Sequence, residues 1–203
     1  MKGEEDPIVS DPLVTQVYEG KDAFVQMLKH SYITGFSNDK IYKKSLFIDN
    51  IISFPKGKYY EDLGTNYKLF LSAKKVYATN QKYYHYLIAN PDSITQSWNE
   101  QKFSDMFGFY KDIFYSDFVR SQLNQEELQI LQLYYVNGLT HILASLYKSK
   151  LDKKYIDITN EVKQELVKNS VSLSQMKDQP NKLKYILFRL KVLKLAFSIQ
   201  NIF

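Results

Sequence analysis

Residues 54–75 read FPKGKYYEDLGTNYKLFLSAKK, a stretch that joins a loop to a helix. Pro55 and Gly57 favour turn conformations, so the stretch begins as a loop. A helix is predicted over residues 61–74, because apolar side chains repeat there at helical spacing. These side chains belong to Leu63, Tyr67, Phe70 and Leu71.

Shorter elements are predicted on both sides of this helix. Residues 21–30 are typical of a short amphipathic helix. Its apolar face would hold Phe24, Met27 and Leu28. Residues 76–79 and 83–88 read as two β-strands with a turn between them. Residues 1–19 are predicted to be a loop or a broken strand, because two Asp-Pro pairs oppose helix formation there.

From Trp98 onward the pattern is helical, with two apolar stripes. The first stripe contains Phe103, Met106, Tyr110, Ile113 and Phe114. The second contains Leu128, Leu131, Tyr135, Leu139, Ile142 and Leu146. Both stripes are expected to pack in the core rather than to line a cofactor pocket. The chain therefore divides into a mixed α/β region, residues 1–97, and a helical region, residues 98–203.

Composition limits the classes of function. The 203 residues suffice for one domain or for part of a larger one. Seventeen Tyr and 13 Phe against one Trp suit sugar-binding clefts, although AT-rich codon usage gives the same excess. The absence of Cys excludes disulfides, thiolate metal sites and Cys nucleophiles. No stretch has the roughly 18 apolar residues of a membrane span, so a soluble or peripheral cytoplasmic protein is expected.

Two adjacent carboxylates, Glu61 and Asp62, stand at the start of the predicted 61–74 helix. Acidic residues are common in a first helical turn, where they complement the exposed N–H groups and the helix dipole, so capping is one interpretation. The other is a general base at the edge of a cleft. The helix dipole lowers a carboxylate pKa, whereas a base works better with a pKa nearer neutrality.

Four blocks in order and at compatible spacing resemble glycosyltransferase family 2. They read DKIYKKSLF at residues 39–47, FPKGKYYEDL at 54–63, YKLFLSAKKV at 67–76, and YYHY at 83–86 followed by SIT at 93–95. The likeness covers roughly residues 18–97. It is closest to the bacterial enzymes that build capsular, exopolysaccharide or cell-wall glycans.

The resemblance implies an α/β fold for residues 1–97, the partial GT-A-like acceptor side of a nucleotide-sugar transferase, with residues 98–203 as a helical extension. It makes Asp62 the catalytic base, with Glu61 beside it to orient or contact the acceptor. Tyr60 and Lys40 would contact the acceptor or a phosphate, although Lys40 also reads as a surface lysine. His85 would contact substrate or metal, or be structural.

The chain departs from the family pattern at several positions. Asp39 stands where the family has Asn before the lysine, and residues 87–89 replace its arginines. No Asp-x-Asp motif precedes Tyr18, so the nucleotide-binding half is expected to be missing. The Mg²⁺ or Mn²⁺ of a complete enzyme would then find few ligands here. Activity would require a partner protein that carries the donor half.

Residues 181–203 are predicted to form a basic amphipathic helix. Its apolar face would hold Ile186, Leu190, Leu193 and Phe197. The cations around it are Lys182, Lys184, Arg189, Lys191 and Lys194. This pattern favours a helix at a membrane interface, with a core-packing helix as the alternative. Nucleic-acid binding is not expected, because no recognised motif accompanies the charge of +5.

The leading hypothesis is inverting transfer of a sugar from a nucleotide-sugar donor to a glycan or lipid-linked acceptor, in bacterial surface polysaccharide synthesis. The partners would be the donor, the acceptor, a protein with the donor half and the inner face of the cell membrane. A non-catalytic, membrane-associated scaffold that is a remnant of this fold is the second hypothesis. A regulatory all-α protein is the third, and it predicts no strands over residues 76–88.

Overall fold

The computed structural model describes residues 15–81, 83–84 and 97–199. Within them the chain is mixed α/β, mainly helical, with one two-stranded sheet. The elements in order are β1 (Thr15–Tyr18), α1 (Gly20–Leu28), α2 (Lys44–Asp49), α3 (Leu63–Ser72), β2 (Val76–Thr79), α4 (Glu100–Tyr115), α5 (Asp117–Arg120), α6 (Gln125–Lys148), α7 (Ile156–Lys168), α8 (Lys182–Arg189) and α9 (Leu193–Ser198).

The longest helix, α6, is the centre of the packing. Its start is fixed by a capping box, in which the Asn124 side chain accepts from the Glu127 backbone N–H and the Glu127 side chain accepts from the Asn124 N–H. Helices α1, α4, α7, α8 and α9 all contact it. The two apolar stripes predicted for α4 and α6 are confirmed as faces of this core.

One apolar cluster runs across residue 97. Phe24 of α1 and Phe70 of α3 belong to the same cluster as Phe103 of α4 and Leu131 of α6. Helix α3 packs against α1 on one side and against α4 on the other. The apolar faces predicted around Phe24 and Phe70 are thereby confirmed, while a division into two regions at residue 97 stays a prediction.

The sheet pairs β1 with β2 in antiparallel register, with Thr15 opposite Thr79 and Tyr18 opposite Val76. The strand predicted at residues 76–79 is confirmed. Its partner in the described residues is β1, from the segment predicted to be a loop or a broken strand, rather than residues 83–88. Of that second strand, residues 85–88 lie outside the described residues. The presence of β2 contradicts the all-α hypothesis.

The single helix predicted over residues 181–203 is wrong. Helix α8 ends at Arg189, and α9 begins at Leu193. The break occurs because Lys191 has a left-handed backbone, with φ 61°. Of the predicted apolar face, Leu193 is buried, whereas Leu190 is 65% exposed. Residues 200–203 lie outside the described residues.

Four helices, α1, α2, α6 and α8, end with the same backbone motif. At the end of α2 the Ile51 N–H donates to the carbonyl of Ile48 (3.3 Å), and the Ile52 N–H donates to that of Phe47 (2.9 Å). This is the Schellman arrangement, in which the left-handed residue is usually glycine. Here those residues are His30, Ile51, Lys150 and Lys191.

Replacement of Ile51 by glycine is expected to raise the free energy of unfolding by about 1 kcal/mol, because it removes the steric cost of a β-branched residue at φ 55°. Ile51 is 95% exposed, so little packing is lost. Urea denaturation would measure the gain. Ile41→Gly is the matched control, since Ile41 is also fully exposed but is not left-handed, and it should gain nothing. Equal losses in both variants would contradict the prediction.

Candidate functional site

The carboxylate of Asp62 caps helix α3. Its Oδ1 atom accepts a hydrogen bond of 2.8 Å from the backbone N–H of Leu63, and the side chain is half-buried. Two residues earlier, Tyr60 has a left-handed backbone with φ 58°. Such conformations are costly for residues other than glycine and are often found next to functional sites. The capping interpretation is confirmed for Asp62, whereas Glu61 precedes the helix, and the catalytic interpretation stays a prediction.

Burial is the largest influence on the pKa of Asp62, and it raises that pKa above the ordinary aspartate value. The hydrogen bond from Leu63 N–H opposes this rise, the negative charge of Glu61 adds to it, and the positive charge of Lys40 opposes it. The net direction is upward. The effect of burial on the pKa therefore outweighs that of the capping hydrogen bond. The result is a pKa closer to the one that a general base requires.

Lys40 organises its own loop. Its Nζ donates to Thr34 Oγ1 (3.0 Å), to the carbonyl oxygen of Phe36 (2.6 Å) and to Asp39 Oδ1 (2.6 Å). An ammonium group has three N–H donors, so all of them have partners. Burial lowers the pKa of Lys40, and Asp39 partly offsets that effect. Lys40 thus supplies positive charge near Asp62, and binding a phosphate would require it to exchange one of these bonds.

A buried side chain, Asn66, attaches this loop to helix α3. Its Nδ2 donates to the carbonyl oxygen of Gly35 (2.6 Å) and to Ser37 Oγ (3.2 Å), while its Oδ1 accepts from the Tyr42 hydroxyl (2.7 Å). Because Asn66 lies one turn after Asp62, it fixes the 35–42 loop against the helix that carries the candidate base. Sequence reasoning missed Asn66, although a polar side chain in an apolar helix was a signal.

A second buried side chain, Asp105 of α4, holds the loop that precedes Asp62. Its Oδ1 accepts from Lys58 Nζ (2.8 Å), and its Oδ2 accepts from the Tyr59 N–H (3.0 Å). Gln101 Nε2 donates to the carbonyl oxygen of Gly57 (2.7 Å) in the same loop. The FPKGKYYED block is thereby tied to the helical region. No local pattern in the sequence indicated these contacts, which join residues more than 40 positions apart.

Removal of the Asp105 carboxylate by Asp105→Ala is expected to lower the free energy of unfolding by about 1–3 kcal/mol, because Lys58 and the Tyr59 N–H lose their acceptor. Denaturant unfolding would measure the change. Asp112→Ala is the matched control, since it removes an exposed aspartate from the same helix and should change stability little. Equal effects in both variants would show that Asp105 does not anchor the loop.

The other predicted site residues differ in position. Tyr60 is half-buried, and its pKa is raised by burial and then by the charge of Asp62. Glu61 is exposed to solvent. His85 lies outside the described residues. The structure therefore brings together Asp62, Tyr60 and Lys40, with Glu61 on the solvent side.

Neither a metal site nor a membrane-spanning helix is found in residues 15–81, 83–84 and 97–199. No group of three His, Asp or Glu side chains there is arranged to hold a metal ion. Mg²⁺ at nucleotide sites is commonly held by one or two carboxylates together with phosphates and water, so the expected Mg²⁺ or Mn²⁺ stays a prediction. None of the helices in this part is both long and apolar enough to cross a membrane.

Comparisons of the chain with models of known protein families, with curated proteins and with solved structures gave no significant match.

Proposed function

We propose that this chain provides the acceptor side of an inverting glycosyltransferase of the family 2 type. The observation that supports this best is the half-buried Asp62, whose pKa is raised at the start of α3. It stands within the FPKGKYYED block, and both loops beside it are fixed by buried side chains, Asn66 and Asp105. A GT-A-like arrangement of residues 1–97 is part of this proposal.

In the proposed reaction, Asp62 accepts the proton of an acceptor sugar hydroxyl. The hydroxyl oxygen then forms a bond to the anomeric carbon of the donor, and the bond from that carbon to the diphosphate oxygen breaks. The nucleoside diphosphate leaves with the electron pair, and the configuration at the anomeric carbon inverts. Tyr60 and Glu61 border the acceptor, and Lys40 supplies positive charge beside the base.

Donor binding is assigned to a nucleotide-binding half on a partner protein. The acceptor would be a glycan or a lipid-linked sugar of a bacterial surface polysaccharide, such as a capsule or an exopolysaccharide. We place the reaction in the cytoplasm, at the inner face of the cell membrane. A metal on the donor would take its ligands from the same nucleotide-binding half.

One observation favours a second function, a non-catalytic binding protein that keeps a remnant of the fold. Asp62 already serves as a helix cap, and all three Nζ donors of Lys40 are used within its loop. Both residues therefore have structural roles that need no substrate.

The test is sugar transfer by the full chain co-purified with a partner protein that carries a nucleotide-binding half. A panel of nucleotide sugars is supplied with a glycan acceptor, and the product is analysed by mass spectrometry. We expect the acceptor to gain the mass of one sugar and the nucleoside diphosphate to be released. A stable complex that transfers no sugar from any donor in the panel would favour the binding protein.

A further inference from the structure

A basic pocket of about 200 Å³ lies where α6, α7 and the α8–α9 turn meet. Its lining consists of Tyr147, Lys163, Phe188, Lys191, Leu193 and Lys194. We refer to it as the α7–α9 pocket. It has room for several water molecules, and its walls combine two aromatic rings and a leucine with three lysines.

Positive charge in the α7–α9 pocket exceeds negative charge. The Nζ atoms of Lys163 and Lys194 lie 5.7 Å and 5.8 Å from the centre of the Tyr147 ring. Lys194 also forms an ion pair of 2.5 Å with Asp152. The lining thus contributes three lysines, of which Lys194 is paired with the carboxylate of Asp152. A pocket with this charge and apolar walls suits an anionic group attached to an apolar body.

Exposed leucines flank two of the pocket lysines in the sequence. Leu190 precedes Lys191 and is 65% exposed, and Leu195 follows Lys194 and is 58% exposed. Large apolar side chains beside cations are typical of a surface that enters the interface of a membrane, where the apolar groups reach the acyl chains and the lysines meet the head groups. Because the helix breaks at Lys191, Leu190 lies at the end of α8 and Leu195 lies in α9.

We propose that the α7–α9 pocket binds the phosphate of an anionic membrane phospholipid, while Leu190 and Leu195 enter the acyl layer. The pocket lysines would then bind a phosphate, and the two exposed leucines would leave water for the acyl layer. This inference rests on the membrane location in the proposed function and not on its chemistry. A vesicle-binding assay therefore fails or succeeds independently of the sugar-transfer assay.

The test is flotation of the full chain with phosphatidylcholine vesicles that contain or lack phosphatidylglycerol. Lys191→Gly removes a pocket ammonium and suits the left-handed backbone at that position. Lys150→Gly is the matched control, because Lys150 is also a left-handed lysine at a helix end but does not line the pocket. We expect Lys191→Gly to weaken binding to the anionic vesicles about fivefold and Lys150→Gly to leave it nearly unchanged.

Two results would overturn the proposal. Equal losses in Lys191→Gly and Lys150→Gly would show a general attraction of charge rather than a pocket. Calorimetric binding of glycerol 3-phosphate without any binding to vesicles would show that the phosphate belongs to a soluble ester. Leu190→Ser separates the two sources further, because it should weaken vesicle binding and leave binding of glycerol 3-phosphate unchanged.

Discussion

Gly20→Ala is expected to destabilise the fold strongly. A Cβ atom at Gly20 would lie 2.1 Å from the carbonyl oxygens of both Ala73 and Phe70, far inside van der Waals contact. These are backbone atoms at the end of α3, so they cannot swing aside as a side chain can. Helix α1 would have to move away from α3, and the apolar contacts that join the two helices in the core would be disturbed. We expect a loss of at least about 3 kcal/mol in the free energy of unfolding.

The matched control for this change is Gly108→Ala within α4. A Cβ atom at Gly108 meets no other atom within 4 Å. Alanine is a better helix former than glycine, so this variant should gain about 0.5–1 kcal/mol. Denaturant titrations of both variants would measure the difference. Similar stabilities for the two would show that the contact between Gly20 and α3 is not close.

Asp62→Asn is expected to lower the rate of sugar transfer by about 10²- to 10⁴-fold, because an amide cannot accept the proton of the acceptor hydroxyl. The fold should be retained, since the amide oxygen can still accept from the Leu63 N–H. The pKa of Asp62 is higher in the folded than in the unfolded chain. The contribution of this carboxyl group to the free energy of unfolding therefore falls as the pH rises from the unfolded pKa through the folded pKa. Its replacement by a neutral amide should therefore not reduce stability at neutral pH.

Glu61→Gln is the matched control for the base, because it makes the same chemical change at the exposed neighbour. We expect less than about a tenfold loss of transfer, because in the proposed function Glu61 only borders the acceptor. Transfer rates of the complete enzyme, measured with each variant, separate the two carboxylates. If the larger loss occurred in Glu61→Gln, the roles of the two residues would have to be exchanged.

Local periodicity was enough to predict much of the helical fold. The apolar faces of α3, α4 and α6 follow from spacing alone, because each repeats at the helical period over several turns. The exact ends were less predictable. The C-terminal helix breaks at Lys191, where the backbone is left-handed. A left-handed helix end is usually marked by glycine, and a lysine carries no such signal.

Long-range pairing could not be predicted in the same way. The strand Val76–Thr79 was expected to pair with the next segment in sequence, whereas it pairs with Thr15–Tyr18. The anchors Asn66 and Asp105 bind groups that are 24 to 47 residues away in sequence. No local pattern encodes such partners, because they depend on how the helices pack. At the candidate site, sequence reasoning found Asp62 and Lys40, but not the side chains that hold their loops.

The most direct test of Asp62 as the base is the rate of sugar transfer by the complete enzyme as a function of pH. We predict a rate that rises with pH along an acidic limb, with a pKa above the ordinary aspartate value of 3.8. The same limb should remain in Glu61→Gln and be absent from the residual activity of Asp62→Asn. An unchanged limb and an undiminished rate in Asp62→Asn would contradict the assignment of Asp62 as the base.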